Sequence, residues 1–315
     1  MTLHHLKMVS LAAISIAPML LTACATTTVE NDTGQESQIT AAPTTIASGW
    51  TLRLPEEEKV LYKGVVSLDG AGGPSGPFLY PAPNVVGFVA AVITHGVINE
   101  SVKSSQKSKL QEVADKVLVP YQPVLSSYGH KELMQRGLEM LPTGGSKKLA
   151  GFSEKLGTDW SIESTPVFFI TQDQSAIILE NAISIYAPGS KSTAAYQSII
   201  RIVSHPKGKA DLTSFWTAEN GKTIKEESAE LFAESLNIAL NEVTSTAKAN
   251  SGVQKTYRYL EGNIERMERG QLISEQCGRI VIKTLRGMPM SIPARRDAAV
   301  SPGADQCARV SSNLK

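Results

Sequence analysis

Histidine, serine and acidic side chains are the groups with which this 315-residue chain could carry out acid–base or nucleophilic chemistry. His95 lies inside an apolar run, whereas His130 and His205 are predicted to lie at the surface. Ser75, in the sequence Gly72-Gly73-Pro74-Ser75-Gly76, has a proline beside it and no evident base, so it is a poor nucleophile. The histidines, cysteines and acids match no metal-ligand spacing, and neither a P-loop nor a dinucleotide motif is present. We therefore expect no metal, no cofactor and no recognisable catalytic residue.

One loop combines several chemically useful side chains. Between Asp69 and Pro83 the chain contains four glycines and four prolines, a density that excludes regular structure. The candidate functional loop contributes Asp69, Phe78 and Tyr80. We group His95, which lies downstream, with them. The alternative interpretation is that the loop packs over the folded body and that His95 is a hydrogen-bonded core residue.

The strongest motif is at the N-terminus. An apolar run from Met8 to Leu21 follows the basic Lys7 and ends in Leu21-Thr22-Ala23-Cys24. The run is shorter than the ~20 residues that a membrane-spanning helix needs, and it has the layout of a secretory signal. The sequence Leu21-Thr22-Ala23-Cys24 resembles the lipobox of bacterial lipoproteins at every position. The resemblance implies that the chain is cut before Cys24, whose thiol carries a diacylglyceryl group and whose new amine carries an acyl chain such as palmitate.

The same resemblance implies a location. Three acyl chains are enough for stable anchoring, so acylated Cys24 would attach the protein to a lipid bilayer. Ala25, and not aspartate, follows the cysteine. In enterobacteria-like sorting this implies delivery to the outer membrane, with the body facing the periplasm. The body is similar in organisation to Gram-negative envelope lipoproteins of unassigned role, and this likeness transfers no functional residues.

The cysteine count predicts one disulfide. With Cys24 lipidated, Cys277 and Cys307 remain, and the periplasm is oxidising. Their disulfide would close a loop of about 31 residues and stabilise the fold by about 3–4 kcal/mol. The loop is rich in proline and glycine, so we expect little regular structure in it. Two free thiols are the alternative.

Charge argues against one class of partner and suggests another. Removing residues 1–23 takes away one lysine, which leaves 30 basic and 30 acidic residues and no reason to expect nucleic acid as a partner. Residues 251–315 nevertheless carry 11 basic and 6 acidic side chains. A solvated strand face or a contact for an anionic partner would explain this excess. The candidate contacts are Arg266, Arg269, Arg279, Lys283, Arg286, Arg295 and Arg296.

The lipobox resemblance, together with composition and periodicity, predicts three regions and an α+β fold. The first region is a signal peptide (1–23). The second is a lipidated, disordered tether (24–48), which is rich in threonine and serine. The third is a folded domain (49–315) with a possible sub-boundary near 244–254. The domain is predicted to hold a mostly antiparallel sheet with packed helices. Predicted strands are Trp50–Leu54, Val60–Leu68, Val167–Thr171, Ala176–Tyr186, Tyr196–Val203, Phe215–Thr217, Tyr257–Leu260 and Arg279–Leu285; predicted helices are Leu110–Leu118, Lys131–Leu141 and Thr223–Val243, the last opened by a capping box.

These expectations favour a membrane-anchored lipoprotein that binds or helps to assemble another envelope component, either a protein or a cell-wall glycan, without catalysing a reaction. Two alternatives stay open. In the first, the apolar segment 85–98, otherwise interpreted as a buried core helix, is the membrane-associated part of an oligomeric or secretion-related lipoprotein. Alternatively, carboxylates from distant segments meet in a cleft, as in an envelope hydrolase. The sequence leaves the oligomeric state open.

Overall fold

The computed structural model describes residues 46, 49–66, 101–142, 145–154, 159–190, 193–244 and 252–294, with the backbone alone for 101–107. All of them belong to one compact unit, Gly34–Lys315. The signal peptide, most of the tether and the apolar segment 85–98 lie outside the described residues. So do the predicted site residues Cys24, Asp69, Phe78, Tyr80, His95, Arg295, Arg296 and Cys307.

Helical segments form the first layer. They are α1 (Ser101–Ala114), a 3-10 segment (Asp115–Tyr121), α2 (Gln122–Leu125), α3 (His130–Met140) and α4 (Leu212–Thr244). The backbone of α4 leaves helical geometry at 218–221 and resumes it afterwards, at the predicted Asn220-Gly221 turn. Within the described ranges, no helix combines the length and the apolar character that crossing a membrane requires.

Strands form the second layer, a mixed sheet in the order β3-β1-β4-β5-β6-β10-β9-β8-β7, with β2 paired to β4. This arrangement confirms the predicted α+β class. The strands are β1 (Gly49–Arg53), β2 (Leu61–Gly64), β3 (Ser146–Ala150), β4 (Trp160–Ile170), β5 (Ile177–Tyr186), β6 (Tyr196–Val203), β7 (Gln254–Glu261), β8 (Ile264–Gln276), β9 (Arg279–Thr284) and β10 (Pro289–Pro293).

Pairing directions follow the connections. The hairpin-linked pairs β4–β5, β5–β6, β7–β8, β8–β9 and β9–β10 are antiparallel. Longer connections give the parallel pairs β1–β3, β1–β4, β2–β4 and β6–β10. β4 is long enough to pair with β1 along its first half and with β2 along its second half.

One face of the sheet packs against helix α4, and we call it the helix face. Alternate residues of β5, including Leu179 and Ile183, lie in the main core together with Phe232 and Leu236 of α4. Asn181, between them on the same face, donates to Ser235 Oγ of α4 at 2.8 Å. The predicted covering helix is therefore confirmed.

The opposite face, which we call the inner face, is covered by the sheet itself. Four inter-strand steps separate β6 from β7, which would be about 19 Å apart in a flat sheet. Yet Arg201 of β6 contacts Glu261 of β7 at 2.9 Å. The sheet therefore curls so that the β7–β8 hairpin returns over its own central strands. A second apolar cluster fills the space between them: Ile178, Val203, Tyr259, Ile282, Met290 and Ile292.

Three sequence predictions need correction. Phe215–Thr217 is helical and not a strand, since it opens α4 and buries Trp216, whose indole N–H donates to the Gln174 carbonyl at 2.7 Å. Thr223 is not an N-cap, because the backbone has resumed helical geometry before that residue. The segment after Cys277 is not poor in regular structure, since it contains β9 and β10.

A substitution at Gly262 tests the contact between the β7–β8 turn and the β4–β5 turn. Gly262 has φ of +66°, and a Cβ there would lie 2.5 Å from Asp173 Oδ1 in the β4–β5 turn. Gly262→Ala should destabilise the fold twice, by about 1–2 kcal/mol for the left-handed backbone and by about 1–3 kcal/mol for the clash. The free energy of unfolding from denaturant titration measures both effects together.

Gly189→Ala is the matched control. Its φ is +79° and its Cβ would meet nothing within 4 Å, so only the backbone cost applies. Equal losses of stability in the two variants would contradict the described contact between the two turns.

Candidate functional site

Three charged side chains meet on the inner face and form what we call the ionic cluster: Glu180, Arg201 and Glu261. Glu180 and Arg201 lie directly opposite each other on β5 and β6, and their side chains form an ion pair. Arg201 reaches Glu261 at the end of β7 with its other terminal nitrogen, Nη2. The cluster therefore joins the hairpin to the central strands through one guanidinium.

The electrostatics of the ionic cluster follow from its burial. Burial disfavours the charge of Arg201, but Glu261 and Glu180 outweigh it and raise its pKa above the ordinary value. Neighbouring Tyr259 is also buried, and burial is the main cause that raises its pKa to about 12. Burial likewise raises the pKa of half-buried Glu268 on β8. Arg201 forms ion pairs with both carboxylates of the cluster, so the arrangement is suited to holding the β7–β8 hairpin in place.

A second group of polar side chains crosses the inner face of four neighbouring strands. Arg53 of β1, Glu163 of β4, Ser184 of β5 and Gln197 of β6 lie side by side in register, and we call them the polar row. Arg53 Nη1 donates to Glu163 Oε1 at 3.1 Å. Tyr186 donates its hydroxyl to the other oxygen of that carboxylate at 3.2 Å. The row thus presents charged, amide and hydroxyl groups together.

An exposed aromatic ring lies beside the polar row. Phe152 follows β3, and its carbonyl accepts a hydrogen bond from Arg53 Nε at 2.9 Å. The guanidinium of Arg53 lies 5.6 Å from the centre of the Phe152 ring, which is 46% exposed. An aromatic surface therefore adjoins the hydrogen-bonding groups.

Two buried polar atoms have no hydrogen-bond partner among the described residues: Gln197 Nε2 and His130 Nε2. Burying such an atom without a partner costs about 1–3 kcal/mol. His130 was predicted at the surface, and that was wrong. Its Nδ1 lies 2.7 Å from the Glu57 carbonyl, and burial lowers its pKa, so the neutral ring ties segment 55–60 to the start of α3.

The outer face of the hairpin carries exposed apolar side chains. Leu260, Met267 and Leu285 form a diagonal across β7, β8 and the residue after β9, and we call them the outer patch. They are 46%, 62% and 56% exposed, whereas most large apolar residues of the described chain are buried. Arg258 and Arg269 lie next to Met267 on the same face. Exposed apolar groups of this kind are typical of protein-contact surfaces.

The predicted basic contacts do not share one surface. Arg279 lies on the helix face, where its Nε pairs with Glu234 Oε1 of α4 at 2.8 Å. Lys283 Nζ lies 3.7 Å from Glu242 Oε1, also of α4. Arg266 points to the inner face, half-buried, opposite Tyr259. Arg269 and Arg286 are exposed. Their role towards an anionic partner stays a prediction.

Cys277 lies in the β8–β9 turn with φ of +54°, followed by Gly278 with φ of +70°. Two successive left-handed residues are the geometry of a two-residue hairpin turn. Because Cys307 lies outside the described residues, the predicted disulfide also stays a prediction. His205 is exposed, as predicted.

The ionic cluster and the polar row were not found from the sequence. A signal for the first was present, since Glu180 and Arg201 are the only charged residues of their strands. The polar row had no comparable signal, because it depends on β1 pairing in parallel with β4. Among the described residues, no three His, Cys, Asp or Glu side chains are placed to hold a metal ion.

Comparison with known proteins adds no assignment. No protein-family model matches this chain, and no curated protein matches it in sequence.

The ionic cluster makes a testable prediction about stability. Arg201→Met would leave two buried carboxylates without their partner, so the free energy of unfolding should fall by about 3–5 kcal/mol. Lys148→Met is the control, because Lys148 pairs with Asp159 at the surface and should contribute less than about 1 kcal/mol. Similar small losses in both variants would show that the hairpin does not depend on the cluster.

Proposed function

We propose that this chain is a bacterial envelope lipoprotein, anchored to the outer membrane through acylated Cys24, and that its body is a non-catalytic binding or assembly factor. The observation that carries the proposal is the sequence Leu21-Thr22-Ala23-Cys24 at the end of a short apolar run. In this proposal residues 1–23 are removed and 24–48 form the tether between the lipid and the domain.

The outer patch supports a binding role. A monomeric protein gains nothing from Leu260, Met267 and Leu285 in water, and a partner that covered them would be stabilised by the hydrophobic effect. Arg258 and Arg269 beside the patch would supply polar contacts at its rim, which is the usual composition of protein interfaces. We therefore assign the outer patch as the contact for another envelope protein.

The proposal predicts contact that depends on anchoring. A photoreactive amino acid at position 267, in protein made in a Gram-negative host, should capture a discrete envelope partner. The same label at exposed Lys131 on α3 should not. Cys24→Ser removes the acylated thiol, so the membrane fraction should lose the protein and capture at position 267 should fall strongly.

Two results would contradict the proposal. Membrane association that survives Cys24→Ser would refute anchoring through this cysteine. Equal capture at positions 267 and 131, or none at either, would refute the outer patch as the contact surface.

A further inference from the structure

We infer that the polar row and Phe152 form a binding site for a neutral saccharide. This inference rests on the proposed function in one respect, since an envelope lipoprotein meets glycan chains next to its membrane. The inference otherwise stands on the geometry of the inner face.

The two faces of the same strands differ in their side chains. On the helix face, Leu52, Ile162 and Ile183 are fully buried in the core. Directly behind them, the inner face carries Arg53, Glu163 and Ser184 in one row. A strand face that served packing alone would not need hydrogen-bonding side chains on four successive strands.

The side-chain amide nitrogen of Gln197 is unpaired among the described residues. Gln197 is partly exposed, but its Nε2 is buried and has no partner in the described part of the chain, whereas Arg53 and Glu163 in the same row are hydrogen-bonded. Buried polar atoms are nearly always satisfied, so an exception calls for a ligand or water group. A hydroxyl or an acetamido carbonyl of a sugar would accept the two N–H bonds that this amide offers.

The charges of the polar row indicate the class of ligand. Arg53 and Glu163 neutralise each other, and the Glu163 carboxylate would repel a phosphate or another carboxylate. The row therefore suits a neutral molecule that both donates and accepts hydrogen bonds, as the hydroxyl groups of a pyranose do. The exposed ring of Phe152 offers the apolar surface on which the C–H face of a pyranose packs.

Neutral sugars of this kind come from the cell-wall glycan or from outer-membrane glycolipids. Isothermal titration of the full mature protein in detergent separates the two sources. One arm uses chitotetraose, which has the N-acetylated β-1,4 backbone chemistry of the cell wall, and the other uses a neutral hexose oligosaccharide prepared from the outer core of the glycolipid. We expect a Kd below about 1 mM for at least one of them.

Gln197→Leu distinguishes a ligand contact from a structural role. It should weaken binding by about threefold to tenfold through loss of the amide hydrogen bonds. The midpoint of thermal unfolding without ligand should stay equal or rise, because the unpaired amide is gone; a residue needed for folding would lower it. Gln254→Leu, at an exposed position of β7, is the control and should bind like wild type.

Phe152→Ala provides an independent variant outside the sheet, and it should also weaken binding. Absence of heat with both saccharides, or unchanged affinity in Gln197→Leu and Phe152→Ala, would overturn the inference. Intact mass of the same preparation separates the two proposals. Acylated protein that binds no saccharide would refute this site alone, and unacylated protein that binds would refute the anchoring alone.

Discussion

Strand β5 has no solvent-exposed face, since all ten of its side chains are buried. A strand of this kind requires cover on both sides, and the chain provides it in two different ways. Helix α4 packs on one side through an apolar stripe. On the other side the C-terminal strands continue the sheet and curl back, so that Tyr259 and Ile178, five strands apart in the sheet, lie in one apolar cluster. Arg201 joins the two ends of the curl through Glu180 and Glu261.

This constraint determines which surfaces are left for binding. The helix face is used for packing, and the half of the inner face around Ile178 and Val203 is filled by the hairpin. In the described part of the chain, the surfaces left are the outer patch on the back of the hairpin and the polar row at the other half of the inner face, where Arg53, Glu163 and Gln197 of the strands beside β5 are partly exposed. A membrane anchor would present both to neighbouring envelope components, which is why we connect the fold to a binding role and not to catalysis.

The elements that sequence patterns predicted well are those with strong local signals. Tyr196–Val203 is a strand with the predicted bounds, and the turn at 172–175 links two strands as expected. β10 was missed because Pro289 and Pro293 bound it, although prolines are tolerated at strand ends. Phe215–Thr217 was mistaken for a strand because β-favouring residues cluster there, and packing of Trp216 decided the outcome. The polar row was beyond prediction, since it needs the parallel register of β1 on β4.

The central claim is that this body belongs at a membrane surface, held by a lipid on Cys24. The most direct measurement is the mass of the N-terminal peptide of the protein purified from membranes of a Gram-negative host. Our account predicts a peptide that begins at residue 24 and carries a diacylglyceryl group and an amide-linked acyl chain. A peptide that begins at Met1, or one that begins at residue 24 with an unmodified thiol, would contradict it.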